Sequence, residues 1–186
     1  MAIFGFIFIL IFFLLTSVLM VIWVHQLYYG IKTDRVVFLP TSLKKIDKDL
    51  IALIPKYISN TEQTTVVELG CGTGHVLRFL DSNFKWHKVV GVELDFVTNW
   101  IAKFLSNKTN MEIIQKDIFA YQIPDKSLVY CFLGTEVMDK LKEKGQFDNN
   151  LVISLEFPIT GVEPTEVMPL TGFSFQKEIF VYDFRK

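Results

Sequence analysis

The sequence predicts an α/β fold: a doubly wound, seven-stranded and mostly parallel sheet with an antiparallel C-terminal hairpin, preceded by one transmembrane helix. Three observations lead there. Residues 1–31 contain no Lys, Arg, Asp or Glu. Beyond them, apolar runs of strand length alternate with helical patterns, which is how parallel strands joined by crossover helices read. Finally, Gly70, Gly72 and Gly74 follow the first such strand at alternate positions.

The apolar start comes first in chain order. Ile3–Val24 is broken only by Gly5, Thr16 and Ser17. As a helix, about 22 residues span roughly 33 Å, the thickness of a bilayer's hydrocarbon core. Trp23, Tyr28 and Tyr29 stand where an aromatic belt meets the interface. A cleaved signal peptide needs a basic leading segment and a small-x-small cleavage site, and this stretch has neither. Lys32, Arg35, Lys44 and Lys45 follow the span. Positive flanks stay inside, so a single-pass protein with its globular part on the cytoplasmic side is expected.

Composition narrows the rest. Hydrophobic residues make up 51% of the 186, and the mean hydropathy is +0.34. The excess is local to the start, leaving roughly 155 residues for an ordinary globular domain. The 19 basic and 20 acidic residues give a net charge of −1 and a pI near 6.3. No basic footprint for phosphate backbones results, and nucleic acid is not expected as a partner. Cys71 and Cys131 fit a reducing compartment. His25, His75 and His87 form no ligand-spaced cluster with them, so no metal is expected.

The globular part divides into a lead-in and a main domain. Residues 1–30 form the anchor, residues 31–60 a lead-in segment with a first helix, and residues 61–186 the α/β domain. In "KKIDKDLIALIPKYI", Ile46, Leu50, Leu53 and Ile54 share one helical face. Strands are expected at Thr64–Leu69, His87–Leu94, Met111–Asp117, Ser127–Leu133 and Asn150–Phe157. Helices should open at "GHVLRFL", "FVTNWIAKFLSN" and "TEVMDKLKEK". "TEVMPL" and "KEIFVYDF" are close enough in sequence to pair as the terminal hairpin.

In a doubly wound sheet, ligands bind beyond the carboxyl ends of the strands, where strand order reverses. The glycine loop after the first strand is therefore the cofactor loop, with a bare backbone and a helix N-terminus behind it. A dinucleotide fingerprint requires G-x-G-x-x-G, and His75 stands where its third glycine would be. Glu68, two residues ahead of the loop, would repel a pyrophosphate. It suits a cation, such as the amino group and sulfonium of S-adenosylmethionine. Glu93, with Leu94 beside it, is placed to accept from ribose hydroxyls. Asp117, with Ile118, is placed to accept from an adenine amino group.

"ELGCGTG", "GVEL" and "KD" at these spacings resemble the first three motifs of the seven-strand S-adenosylmethionine-dependent methyltransferases, which are Rossmann-like. On that resemblance Glu68, Gly70, Cys71, Gly72, Gly74, Glu93, Leu94, Asp117 and Ile118 bind the cofactor. The stretch "FLGTE" (Phe132–Glu136) lacks the D/N/S-P-P-aromatic motif of enzymes that methylate DNA amino groups or glutamine. "VVFLPTS", "GVEL…NW", "VMDKL" and "EFPITGVEP" instead resemble the membrane-anchored lysine methyltransferases of mitochondria. Those act on the adenine nucleotide translocase and the c-subunit of ATP synthase, and have shorter prokaryotic relatives. The resemblance implies a lid over the cofactor at Phe38–Ser42, with Pro40 and Thr41 closing on it. It also implies a protein lysine in a membrane as the acceptor. The chain departs from the family at Cys71 and Thr73, where serine and aspartate are usual, and at Thr135, where proline is usual.

Thr135 and Glu136, with the carbonyls of Leu133 and Gly134, are the candidates for orienting the acceptor amine. Glu136 equally reads as an acid in the first turn of its helix, where negative charge is favourable. Cys71 reads as a small loop residue rather than a nucleophile. Two alternatives stay open: methylation of a lipid, quinone or other small interfacial molecule, and a non-catalytic protein that only binds S-adenosylmethionine.

Overall fold

The computed structural model describes residues 2–33, 43–106, 111–170 and 178–185. The chain divides into two compact units, Met1–Leu39 and Pro40–Lys186.

The first unit is one helix, α1 (Ala2–Thr33). Its segment Phe4–Val21 has a mean hydropathy of 2.8. Among the described residues, α1 alone is long and apolar enough to cross a membrane. The two hydroxyls of that segment, Thr16 and Ser17, are satisfied within the helix. Thr16 Oγ1 donates to the carbonyls of Phe12 and Phe13, both at 3.0 Å, and Ser17 Oγ donates to Phe13 at 2.7 Å. That internal pairing is what a helix requires where no water is at hand.

The second unit runs α2 (Leu43–Tyr57), β1 (Thr65–Leu69), α3 (His75–Asn83), β2 (Lys88–Glu93), α4 (Phe96–Leu105), β3 (Met111–Gln115), β4 (Leu128–Cys131), α5 (Thr135–Glu143), β5 (Leu151–Leu155), β6 (Glu166–Pro169) and β7 (Glu178–Asp183). The strands form one seven-stranded sheet in the order β3-β2-β1-β4-β5-β7-β6. β1 to β5 are mutually parallel, and β7 runs antiparallel to both β5 and β6. The expected sheet and hairpin are both present. The strands are one to three residues shorter than the expected runs, and β2 to β5 give up their last one or two residues to the turn that leaves them.

Strand order reverses between β1 and β4, so the crevice lies at the carboxyl ends of β1, β2 and β4. Register brings those ends level: Leu69 pairs with Val92 on one side and Cys131 on the other. β1, β4 and β5 are buried on both faces, which explains why they read as near-continuous apolar runs. One face packs Val66, Tyr130 and Ile153 under Leu50, Leu53 and Ile54 of α2, Val76, Leu77 and Leu80 of α3, and Ala102 of α4. The other packs Val67, Val129 and Val152 against Met138 and Leu141 of α5, with Phe147 and Tyr182. The α2 stripe read from sequence thus faces the core at Leu50, Leu53 and Ile54.

A polar clasp joins α2 to the terminal hairpin. Glu166 on β6 accepts from Tyr57 Oη and from Lys56 Nζ, each at 2.8 Å. Arg185 donates to the Tyr57 carbonyl at 3.1 Å while paired with Asp183. Burial and the Glu166 carboxylate push the Tyr57 phenol up to about 12, so it remains a donor across the physiological range.

Candidate active site

Gly70, Gly72 and Gly74 all have positive φ, at 69°, 53° and 73°. A side chain is strained in that region, so the spacing reflects a backbone that only glycine follows at ease. The loop is fastened to the neighbouring strand, with Gly70 N–H and Cys71 N–H both donating to the Val92 carbonyl at 2.8 and 3.1 Å. Gly74 then caps α3 from the left-handed region, and Arg78 in the first turns of that helix donates back to the Thr73 carbonyl at 2.6 Å.

Glu93 closes the loop from the other side. Its Oε2 accepts from Gly72 N–H and its Oε1 from Asp95 N–H, both at 2.9 Å. One carboxylate therefore holds the glycine loop and the entry to α4 in a common frame. Asp95 caps α4, accepting from Thr98 N–H at 2.8 Å. The sequence reading did not single out Asp95, although an Asp just before a helical pattern is the ordinary signal for a cap.

Glu68 is buried at 5% exposure, and its Oε2 has no hydrogen-bond partner. Burial raises its pKa well above the usual carboxylate range, with the negative charge of Glu93 adding to the effect. A backbone hydrogen bond with Leu77 and the Arg78 guanidinium pull the other way. An orphaned buried carboxylate oxygen is costly unless something charged or hydrogen-bonding meets it. Two acids at the ends of adjacent strands make this corner electronegative. That fits the cationic amino and sulfonium groups of S-adenosylmethionine, and it does not fit a pyrophosphate.

Asp117 stands two residues beyond β3, not on it. It caps a short 3-10 turn, Ile118–Ala120, with Oδ1 accepting from Phe119 N–H at 2.9 Å. Ile118 packs against the second face of the core, and Leu94 is half-buried beside Glu93. Cys71 is buried within the loop, and burial together with Glu68 and Glu93 pushes its thiol far above the ordinary range. It is a neutral packing group, as its small size and position suggested. The structure thus brings Glu68, the three glycines, Cys71, Glu93 and Leu94 together at the β1 and β2 ends, with Asp117 and Ile118 one strand further out.

Gly91 is a residue whose constraint sequence reasoning missed. A Cβ there would meet Cys71 Sγ at 2.7 Å, Leu77 Cδ1 at 2.8 Å and Ile113 Cδ1 at 2.9 Å. The absent side chain lets the loop residue Cys71 and helix α3 settle onto β2. Gly91 also lies opposite Glu68 in the ladder.

Thr135 opens α5 directly after the β4 end, half-buried, and Glu136 follows it in the first turn, exposed. Phe132 and Phe157, just past the ends of β4 and β5, pack with ring centres 5.7 Å apart. The loop after β5 is pinned by Thr160 N–H donating to Asp139 of α5 at 2.7 Å and by Ile159 N–H donating to Tyr182 Oη at 2.9 Å. It contains no helix, in line with its short sequence. Pro40 and Thr41 lie outside the described residues.

Comparison with known proteins places this geometry. Residues 68–166 match the family model described as the ANTKMT methyltransferase domain. A curated relative, a protein-lysine N-methyltransferase of Saccharolobus islandicus, is 28% identical over 129 residues, covering 66% of this chain and 80% of the relative. Among solved structures, an RNA methyltransferase from Salinibacter ruber in complex with S-adenosyl-L-homocysteine aligns with a TM-score of 0.63 at 20% identity, over 80% of this chain and 95% of that one. The human methyltransferase 10 domain containing protein aligns at 0.60 with 12% identity, over 81% and 86%. At such identities the two structures speak for the fold alone. The family match runs from the buried acid of β1 through the glycine loop to the first residue of β6, more than half of the sequence, and on that ground the chain belongs to the ANTKMT methyltransferase-domain family of S-adenosylmethionine-dependent methyltransferases.

Proposed function

We propose that the protein is a membrane-anchored methyltransferase that N-methylates lysine in a membrane protein, with its catalytic domain on the cytoplasmic side. The observation that carries this reading is the union, in one chain, of α1 with a site whose family and curated relative are methyltransferases, the relative being named for protein lysine.

Each site residue has a part in that reading. Glu68 answers the positive end of the cofactor, and Glu93 shares its carboxylate between the loop amides and the ribose hydroxyls. Asp117 takes the adenine amino group, with Leu94 and Ile118 on either side. Gly70, Gly72 and Gly74 leave room for the cofactor against the backbone, Cys71 fills the space behind it, and Pro40 and Thr41 close over it. S-adenosylmethionine supplies an electrophilic methyl group with its leaving group already attached. What the chain must do is position a neutral amine in line and keep water away. A lysine ammonium has no lone pair to offer, so the acceptor has to shed its proton, and a site that desolvates it favours that form. Thr135, Glu136 and the carbonyls of Leu133 and Gly134, at the β4 end, orient the amine. The nitrogen–carbon bond forms as the carbon–sulfur bond breaks, and the proton of the alkylated ammonium leaves to solvent.

The test uses membranes from cells lacking the gene, purified full-length protein and methyl-labelled S-adenosylmethionine. Label is expected in a membrane protein band and, after acid hydrolysis, in methyl-lysine. Label confined to the organic extract would overturn the lysine assignment in favour of a small interfacial acceptor.

A further inference from the structure

Helix α4 turns its bulky residues outward. Its buried positions are Asn99 and Ala102, one polar and one small. The residues that would ordinarily seat a helix on a sheet face away from it: Phe96, Trp100 and Phe104 are 67%, 61% and 64% exposed, and Val97 and Leu105 are exposed as well. Phe96, Trp100 and Phe104 recur every fourth residue, so they form one stripe along the helix. The Trp100 and Phe104 rings stack at 6.0 Å with their planes 16° apart. Lys103, beside them, is the stripe's one exposed charge. Scattered apolar residues on a surface mean little, whereas an aligned aromatic stripe marks an interaction face.

We propose that this face of α4 lies in the interfacial layer of a lipid bilayer, the one that α1 spans. The proposal rests on the reading of α1 as a membrane span. Residues 34–42 join Thr33 to Leu43, and such a stretch reaches at most about 35 Å. A domain on that tether meets lipid at high effective concentration, so a contact too weak to bind from solution becomes populated. The chemistry matches lipid: Trp and Phe belong at the headgroup–acyl boundary, and a lysine there extends its ammonium to the headgroups. The size argues against a second copy. A helix of 10 residues offers a face of about 15 Å by 10 Å, roughly 150 Å², against about 800 Å² per partner in a stable protein interface. Docking has a consequence for the site. Asp95 caps α4 and is held by Glu93, so a bilayer against Phe96 lies beside the cofactor edge of the sheet.

The three tryptophans allow a direct test: Trp23 lies in α1, Trp86 is half-buried with its Nε1 donating to Leu80 at 3.1 Å, and Trp100 lies on the stripe. Full-length chains retaining one tryptophan each, the others changed to Phe, are reconstituted in phosphatidylcholine vesicles brominated high on the acyl chains. Calorimetric S-adenosylmethionine binding confirms that each is folded. An interfacial helix sits about 5–10 Å into the boundary, so the Trp100 chain should lose on the order of half its emission, as should the Trp23 chain, with Trp86 unaffected. Quenching of Trp23 with Trp100 as unaffected as Trp86 would overturn the docking and leave the anchor standing. Quenching of neither would overturn both. A blue shift of Trp100 that follows protein concentration and ignores bromine would assign the face to another copy, against the proposal.

Discussion

At the scale of single residues, the site is built from side chains that are missing and charges that are buried. Gly91 has no room for a Cβ, since three side-chain atoms would stand within 2.7 to 2.9 Å of it. Gly91→Ala should therefore cost about 1–3 kcal/mol, the usual penalty for overpacking, and thermal unfolding would show it as a lowered midpoint. Glu68 makes a prediction with a sign. Its folded-state pKa lies above the unfolded value, because burial and Glu93 disfavour the charged form. The folded protein therefore holds a proton that the unfolded chain gives up. Its cost is absent below the unfolded pKa, grows as pH rises through the window between the two values, and is complete above the folded one. Glu68→Gln removes this dependence. Denaturant unfolding of the ligand-free variant should show higher stability than the parent at neutral pH and a flatter profile, while calorimetry should show weaker S-adenosylmethionine binding. Equal pH profiles for variant and parent would mean that Glu68 is not charged at a cost. Glu68 was legible in the sequence as an acid two residues ahead of the first glycine. Gly91 was visible only as part of "GVEL", because its neighbours Cys71, Leu77 and Ile113 come from three other segments.

At the scale of elements, local pattern was enough wherever burial followed one simple rule. α2 showed its core stripe openly, and β1, β4 and β5 showed theirs as mostly apolar runs, interrupted within β1 by Glu68 and within β5 by Ser154, because both of their faces are covered. Strand ends were less legible. Asp117 was expected to close β3, yet its carboxylate turns the chain by accepting from Phe119 N–H, and the strand ends at Gln115. The hairpin was legible as a pair, but not its place: β7 sits between β5 and β6, an insertion decided by pairing across the sheet. The clasp between α2 and β6 was likewise hidden, because Tyr57 and Glu166 lie 109 residues apart. Tyr57→Phe should lower stability by about 1 kcal/mol, the worth of a partly buried hydrogen bond, as read by denaturant unfolding, and leave cofactor affinity unchanged. A matching loss of affinity would tie the clasp to the site.

At the scale of the whole molecule, we propose that a methyl-transfer site and an apolar helix in one chain direct methylation to lysine in a membrane protein. The cofactor half of the claim was legible in a few residues, since a glycine loop needs only its own strand and helix. The acceptor half was not, because a substrate surface is assembled from several loops. Replacing Leu10, Leu14 and Phe13 of α1 with polar residues should strip the protein from membranes and sharply reduce labelling of membrane proteins. Cofactor affinity, measured on the same sample, should not change. The most direct measurement is mass spectrometry of membrane proteins from cells lacking the gene, complemented with either the parent gene or its Glu93→Ala form at equal abundance. A lysine in a membrane protein is expected to carry methyl groups with the parent gene and to be unmodified with the variant and with no gene. Identical lysine methylation in all three would contradict it.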